Sequence, residues 1–340
     1  MDPYRNFNQY KIDPISEIRN AGIITNGSVF WVKDSADSDY VHFQDQVGAD
    51  SIRPTIQGGV DLTRADKNDY VFVSPRDANA VWTATAALDI NKDRVHVMSI
   101  GYTKALRGYS NTLRGFATAG TADQNGLMDV TADGAEVAGF YFLGTAGTSS
   151  GGTLGDNGTS GIVTVFAGVH DFHLHDFRIE RTTDNWDDGT PSAALYLGSA
   201  SKGHVIENGV IHAGTSTAVT TSNVKLPFNG EDITFREVRM IRHSITTGDQ
   251  FVTSNGGTMS GMFATFERCQ FINTNAGTKN ASAVGGTFPV GGVGLILESS
   301  GINVTETGTP TSFFVAPASG TATVVRNNYL GLGTTALISV

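Results

Sequence analysis

The chain has few charged residues, a single cysteine and no long apolar run. Charged residues make up 16% of its 340 residues, against roughly 25% in an average globular protein. Helices of soluble proteins usually carry a charged outer face, so this shortage argues against a helical fold. Cys269 has no partner for an intrachain disulfide. No stretch approaches the roughly 18 apolar residues of a membrane-spanning helix.

The N-terminal sequence and the net charge argue against a secreted protein and against a nucleic-acid-binding protein. The opening MDPYRNFNQYKIDP lacks the apolar segment of a secretory signal, so we expect synthesis in a cytoplasm. The formal net charge of −10 repels phosphate backbones. We therefore expect neither a nucleic-acid nor a membrane partner.

The sequence is instead rich in glycine and contains a repeated pattern. Glycine supplies 41 residues, well above the usual share of roughly 7%. Two apolar-any-apolar triplets separated by two polar or small residues recur with a period of about thirty residues. The copies are residues 135–142, 172–179, 204–211, 233–240, 264–271 and 323–330, with a degenerate copy at 293–297. A regular period of this length indicates a solenoid.

The repeat predicts an all-β fold, a right-handed parallel β-helix with a short N-terminal capping helix. Alternation places one face of each strand inward, and stacked coils bury a continuous apolar column. A β-sandwich would also alternate, but it favours turn signals every 8–12 residues without a longer period. The predicted inward column is Val97, Val137, Leu174, Ile206, Phe235, Phe266 and Val325. Residues 143–161, 182–191 and 273–292 are expected to be loops at coil corners.

Residues 51–73 are suited to covering the open end of the solenoid. Ile52, Ile56 and Val60 mark a short amphipathic helix, and Asn68 and Asp69 form a turn into a strand at 70–73. Thr-Ile-Gln at 55–57 and Asp-Tyr-Val-Phe-Val at 69–73 resemble the pectate-lyase-like β-helix superfamily, although Arg76 stands where a glycine is usual. Residues 27–32 (GSVFWV) and 95–101 (VHVMSIG) look like a group of phage virion proteins encoded near capsid genes.

The superfamily includes lyases, hydrolases, tailspikes and structural proteins, so function depends on sites. The Gly-His-Gly signature of polygalacturonase-like hydrolases is broken by Val205, and Asp184, Asp187 and Asp188 share one segment. No pair of carboxyl groups placed for glycoside hydrolysis is visible. We therefore predict no catalytic residue and no enzymatic activity.

Metal and cofactor sites are also not predicted. His170, His173 and His175 form the densest histidine group, but His173 should face outward while His175 lies at the corner step, so the two need not share a face. The three aspartates near residue 187 are expected to be a solvated loop rather than a Ca²⁺ site. Cys269 occupies an inward position and should be a small buried hydrophobe. No cofactor is expected.

The function predicted from these patterns is a bacteriophage virion structural protein, most simply a capsid decoration protein on the head surface. The alternative is a tailspike or receptor-binding protein, or a polysaccharide depolymerase, with carboxylates and aromatics along a lateral groove. The expected location is the virion, with the major capsid protein or other virion proteins as partners, and a homotrimer as the oligomeric state.

The N-terminal segment divides the chain into two predicted regions. Residues 1–50 are expected to be a virion-attachment arm, and residues 51–340 the β-helix domain. The attachment residues are the aromatics of the arm, which are Tyr4, Phe7, Tyr10, Phe30 and Trp31. The alternative is that this segment folds back and caps the first coil.

Overall fold

The computed structural model describes residues 27–77, 81–84, 87–100, 111–116, 126–145, 161–181, 193–213, 222–226, 230–242, 250–254, 264–273, 282–284, 295–298, 301–304, 323–326, 329–332 and 335–339. Two α-helices, α1 (Tyr40–Val47) and α2 (Ile56–Leu62), and a 3-10 turn (Ala49–Ser51) lie near the start of these ranges. No helix in the described part of the chain is long and apolar enough to cross a membrane.

The strands form three sheets, named A, B and C here. Sheet A contains β1 (Val29–Val32), β2 (Ile52–Arg53), β3 (Tyr70–Val73), β6 (His96–Ser99), β9 (Glu136–Ala138), β12 (His173–His175), β15 (Val205–Glu207), β18 (Ile233–Arg236), β21 (Ala264–Glu267), β24 (Leu295–Glu298) and β26 (Thr323–Arg326). Sheet B contains β4 (Trp82–Ala84), β7 (Asn111–Phe116), β10 (Phe140–Thr145), β13 (Arg178–Arg181), β16 (Val210–His212), β19 (Arg239–Arg242), β22 (Gln270–Asn273), β25 (Gly301–Val304), β27 (Tyr329–Leu332) and β28 (Thr335–Ser339). Sheet C contains β5 (Leu88–Ile90), β8 (Met128–Val130), β11 (Gly161–Val165), β14 (Ala193–Leu197), β17 (Ser222–Leu226), β20 (Gln250–Ser254) and β23 (Ser282–Val284).

Each complete coil gives one strand to sheet A, the next to sheet B and a third to sheet C, and the following coil repeats the order. Among the described strands, only β27 and β28 pair antiparallel. The predicted all-β fold, a right-handed parallel β-helix, is confirmed. Sheet C was not predicted as a separate sheet, because its strands lack the repeated polar pair, and β11 and β14 read as mainly apolar runs. All five residues of both β11 and β14 are buried.

The predicted inward column is confirmed in register. Val97 pairs with Val137, which also pairs with Leu174. Ile206 links Leu174 to Phe235, and Phe235 stacks on Phe266 with ring centroids 4.8 Å apart. The backbone register continues through Leu297 to Val325. The residues of this column from Val97 to Phe266 are fully buried, so the column forms one continuous core.

The corner between sheets A and B is made by a single residue in the left-handed backbone region. These residues are Gly139, Asp176, Asn208, Glu237 and Arg268, all with φ between 52° and 80°. The amides of the first four stay in the hydrogen-bond ladder, as the Asp176 amide does with the Glu207 carbonyl oxygen at 3.2 Å. The predicted two-residue polar step is therefore the last outward residue of a sheet A strand followed by one left-handed residue.

The predicted capping helix is confirmed as α2, except that Ile52, which was expected in the helix, lies in strand β2. The Thr55 hydroxyl accepts a hydrogen bond from the Gly58 amide at 3.0 Å, which caps the helix N-terminus. Ile56 and Val60 are buried against the first coil. A side chain at Gly59 would meet Val32 at 2.4 Å, so glycine lets the helix lie directly on the end of the inner column.

Residues 29–47 pack on the first coil. Strand β1 pairs with β3 and β2, and α1 covers the outer side of these strands. Trp31 contacts Phe43 of α1 and Phe72 of β3, with ring centroids 5.4 and 5.3 Å apart. Trp31, predicted as an attachment residue, is only 2% exposed, and Phe30 is half-buried. Trp31 is thus packed against the first coil, and the attachment role of both residues stays a prediction.

The other predicted attachment residues, Tyr4, Phe7 and Tyr10, lie outside the described residues. The role of residues 1–50 in virion attachment therefore stays a prediction. The expected loops at 143–161, 182–191 and 273–292 fall largely outside the described ranges as well. Within the third of them, β23 is a strand of sheet C, which the sequence reading assigned to a loop.

Candidate functional site

A row of polar side chains runs along the outer face of sheet A. It lies next to the inward column, because residues on either side of an inward position point to the opposite face of a strand. We call it the outer row. Its members are His96, Glu136, His173, His175, Glu207, Arg236 and Glu267. They come from six successive strands of the sheet.

Glu136 is the centre of the outer row. One carboxylate oxygen lies 3.0 Å from His175 Nε2 and 3.5 Å from His173 Nδ1. The other carboxylate oxygen contacts His96 Nδ1. One carboxylate from β9 is therefore surrounded by three imidazoles, one from the preceding strand and two from the following strand.

The charge state of this group follows from these contacts. Partial burial opposes ionisation of Glu136, but hydrogen bonds from His173, His175 and His96 hold its pKa well below the usual range. Burial likewise acts against protonated His175, yet Asp176 and Glu136 raise its pKa to about 9. Near neutral pH, Glu136 is thus a carboxylate and His175 an imidazolium.

The row continues through alternating charges. His173 Nε2 lies 3.1 Å from a carboxylate oxygen of Glu207, whose other oxygen accepts a hydrogen bond from Arg236 at 3.1 Å. Arg236 also donates to Glu267 at 2.9 Å. These side chains are between 20% and 42% exposed, so the lower part of the row can be reached from solvent.

At its His96 end, the outer row adjoins the apolar side chains that α1 covers. The Tyr70 ring stacks on His96 at 4.3 Å with an interplanar angle of 12°. Tyr70 is itself buried with Trp31, Ile52 and Phe72. The outer face of sheet A therefore changes from apolar and covered at its first strands to charged and accessible farther along.

A smaller cluster lies on the outer face of sheet B. The Tyr141 hydroxyl donates to Glu180 at 2.7 Å, and Arg178 both donates to Glu180 and stands 5.3 Å from the Tyr141 ring. A hydrogen bond from His212 lowers the pKa of Glu180 to about 2, against the effect of the partial burial of Glu180, and Tyr141 and Arg178 act in the same direction as His212. The cluster is formed by three strands and is shorter than the outer row.

The structure brings together only part of the predicted histidine group. His173 and His175 share the outward face, with ring centroids 4.5 Å apart, because the chain turns at Asp176 and not at His175. The expectation that the two need not share a face was too cautious. His170 precedes the strand and pairs with Lys202 in an isolated bridge, so it does not join the row.

Other sequence-based candidates divide between confirmed and undescribed positions. Cys269 is buried as predicted, and burial raises the pKa of its thiol to about 12. Asp184, Asp187 and Asp188 lie outside the described residues. The outer row was missed, although the repeat contained the signal. Glu136, His173 and Glu207 each stand beside a residue of the predicted inward column.

The comparisons with known proteins are at the level of architecture. No family profile and no curated protein matches the chain. A pectin methylesterase from Aspergillus niger is similar over 92% of this chain and 88% of its own, with 12% identity and a TM-score of 0.49. An endo-xylogalacturonan hydrolase from Aspergillus tubingensis covers 90% and 86%, with 10% identity and a TM-score of 0.40. The ORF18 protein of Geobacillus virus E2 covers 82% and 58%, with 8% identity and a TM-score of 0.42.

These matches confirm the predicted resemblance to right-handed β-helix proteins and correct one prediction. The expectation of no enzymatic activity does not stand, because the proteins of similar fold include pectin methylesterases and a hydrolase, so this fold gives no ground for excluding activity. The expectation relied on missing signature motifs, and such motifs belong to particular families rather than to the fold. At this identity the likeness shows the fold alone, and no catalytic residue is transferred from it.

Proposed function

We propose that this chain is a polysaccharide-contacting β-helix protein of a bacteriophage particle, of the tailspike or receptor-binding kind. The observation that carries the proposal is the outer row. Neighbouring coils repeat about every 4.8 Å, so the row offers carboxylate, imidazole and guanidinium groups at regular steps along the solenoid axis. An extended polymer lying on sheet A meets a hydrogen-bonding group on each coil.

The exposure of the row supports the same reading. Arg236 and His173 are 42% and 34% exposed, so both can donate to a ligand while Glu207 keeps them oriented. Groups held in place before binding lose little entropy when a ligand arrives. The phage assignment rests on the sequence resemblance of residues 27–32 and 95–101 to virion proteins.

A glycan-binding measurement tests the proposal. Purified protein is applied to an array of bacterial capsular and lipopolysaccharide glycans, and Arg236→Ala is compared with Arg239→Ala. Arg239 comes from the same coil but lies on sheet B, beside Gln270. We expect the first variant to weaken binding about tenfold, as for an arginine that carries more than about 1 kcal/mol of binding energy. The second should bind like the parent.

Two outcomes contradict the proposal. The parent protein binds no surface glycan on the array, or both variants weaken binding equally. Equal weakening would show that the loss of binding is not specific to sheet A.

A second function, polysaccharide cleavage, is favoured by one contact pattern. Glu136 and Glu207 approach opposite ring nitrogens of His173, so two carboxylates stand close together on the accessible face. Glycosidases use carboxyl pairs about 5–9.5 Å apart. The low pKa of Glu136 keeps this carboxylate ionised, as a nucleophile has to be and a general acid cannot be. Cleavage of a glycan chain by the parent protein, lost in both Glu136→Gln and Glu207→Gln, would identify a depolymerase.

The place on the particle is tested separately. Capsid decoration was the first prediction from sequence, and it differs from the tail assignment in location. Antibody labelling of intact particles in the electron microscope should mark the tail tip under the present proposal. Labelling spread over the head would support decoration instead. Association as a homotrimer stays a prediction, to be measured by sedimentation.

A further inference from the structure

Three side chains of the outer row point their ligand atoms at one small volume. Glu136, His173 and His175 each offer one atom, and these atoms lie within 4.8 Å of one another. The carboxylate oxygen is 3.0 Å from His175 Nε2 and 3.5 Å from His173 Nδ1. Ligand atoms around a tetrahedral Zn²⁺ with bonds of about 2.0–2.2 Å are about 3.4 Å apart, so both oxygen–nitrogen distances are already near this value, and the two ring nitrogens lie within 4.8 Å of each other.

The backbone explains why the atoms converge. His173 and His175 are two residues apart on β12 and therefore share the outward face. Glu136 is the residue paired with His173 on the neighbouring strand β9. The left-handed turn at Asp176 comes only after His175, so both imidazoles stay on the same flat part of sheet A.

Each of the three groups is also held from behind. His173 presents Nδ1 to the centre while Nε2 contacts Glu207 at 3.1 Å. His175 presents Nε2, which loses its proton when a metal binds, while Nδ1 contacts Asp176 at 2.9 Å. The second oxygen of Glu136 contacts His96. Metal-ligating histidines commonly donate their other ring N–H to a carboxylate, which fixes the tautomer and the ring orientation.

We propose that Glu136, His173 and His175 form a binding site for a divalent transition metal, with Zn²⁺ as the best match. Two imidazoles and one carboxylate are a zinc ligand set that leaves a fourth position for water or another ligand. Ca²⁺ and Mg²⁺ prefer oxygen ligands throughout, so they fit this site poorly. The inference uses the geometry alone and does not depend on glycan binding.

Metal titration of the full chain without a histidine tag tests this site. The protein is first dialysed against a chelator and then titrated with ZnCl₂ in a calorimeter, with no polysaccharide present. We expect saturable binding of one Zn²⁺ per chain. Failure of glycan binding therefore leaves this result unaffected, and the reverse also holds.

Variants locate the ion. His173→Ala, His175→Ala and Glu136→Gln should each abolish saturable binding while the circular dichroism spectrum is retained. Glu207→Gln, which removes only the support behind His173, should weaken binding by about 10- to 100-fold. The matched control is His212→Ala, an outward histidine on β16 of sheet B, and it should bind zinc like the parent.

A second measurement does not require a variant to fold. Co²⁺ added to the metal-free parent should give the visible absorption of a four-coordinate nitrogen and oxygen site, and Zn²⁺ should remove it. The proposal is overturned if the parent shows no saturable zinc binding. It is also overturned if His212→Ala loses binding while the three ligand variants keep it.

Discussion

The two faces of sheet A follow different rules within the same strands. Positions 174, 206, 235 and 266 on the inner face hold Leu, Ile, Phe and Phe, all fully buried. Positions 175, 207, 236 and 267, one residue farther along each strand, hold His, Glu, Arg and Glu. The inner residues need only be apolar and of suitable volume. Each outer residue depends on the particular charge of its neighbours one coil away.

The difference shows how much the repeat alone can specify. Apolar contact is non-directional, so Val, Leu, Ile and Phe can each fill a place in the column wherever the volume suits. Ion pairs and hydrogen bonds require defined partners and directions. The inner face therefore builds the solenoid, while the outer face provides what is particular to this protein.

The largest effect is expected from an inner-face truncation. Phe235→Ala should lower the free energy of unfolding by about 3–5 kcal/mol, because it leaves a cavity beneath the stacked Phe266. Thr234→Ala, the outward neighbour on the same strand, should change it by less than about 0.5 kcal/mol. Denaturant midpoints measure both. Equal losses in the two variants would remove the distinction between the faces.

The next largest effect on stability is expected from His204, a buried polar residue. His204 is fully buried, and its Nδ1 accepts the Phe172 amide at 3.2 Å. Burial, with a smaller contribution from nearby His170, lowers its pKa to about 4, although Asp133 acts in the opposite direction. From pH 6.5 down to about 4 the unfolded chain binds a proton at this residue and the native chain does not. Native stability should therefore fall through that window.

The size of this loss is about 3 kcal/mol, since each pKa unit corresponds to about 1.4 kcal/mol. His204→Asn removes the titration and retains an acceptor for the Phe172 amide. The parent should lose more stability than the variant between pH 7 and pH 4.5 in denaturant titrations. Parallel losses in the two proteins would show that His204 is not the acid-sensitive group.

The smallest effect is expected on the outer face. A double-mutant cycle between Arg236 and Glu267 should give a coupling of about 0.2–1 kcal/mol, because the guanidinium is partly exposed. The coupling should decrease as salt is added. A cycle between Arg239 and Glu267, which lie on different sheets, should give no coupling. A coupling as large as the Phe235 effect would contradict the proposed division between the faces.

The fold was predictable from the sequence because the inward column repeats within the chain. Leu174, Ile206 and Phe235 occupy equivalent places, and their spacing sets the coil length without knowledge of the third sheet. Sheet C escaped because buried parallel strands lack alternation. Strand β11, at 161–165, has neither alternating polar residues nor the polar pair, so its sequence does not identify it as a strand of a third sheet.

The candidate site was less predictable, because its contacts join strands from different coils. Glu136 and His173 are neighbours only through the pairing of β9 with β12. The decisive detail was the place of the bend. Asp176 takes the left-handed conformation, as a short polar side chain readily does. At the next corners, Asn208 is equally suited, whereas Glu237 and Arg268 adopt this conformation without that preference.

The charges of the outer row also favour one order of stacking of the coils. If the coil that carries Arg236 were skipped, the inner face would still be packed, with Ile206 beneath Phe266. On the outer face, however, Glu207 would lie directly beside Glu267. Like charges on paired strands are destabilising. A slip of the chain by one whole coil preserves the buried column and is therefore the misfold that a solenoid is least able to exclude. In this protein, the alternation of His, Glu and Arg on the exterior penalises that slip.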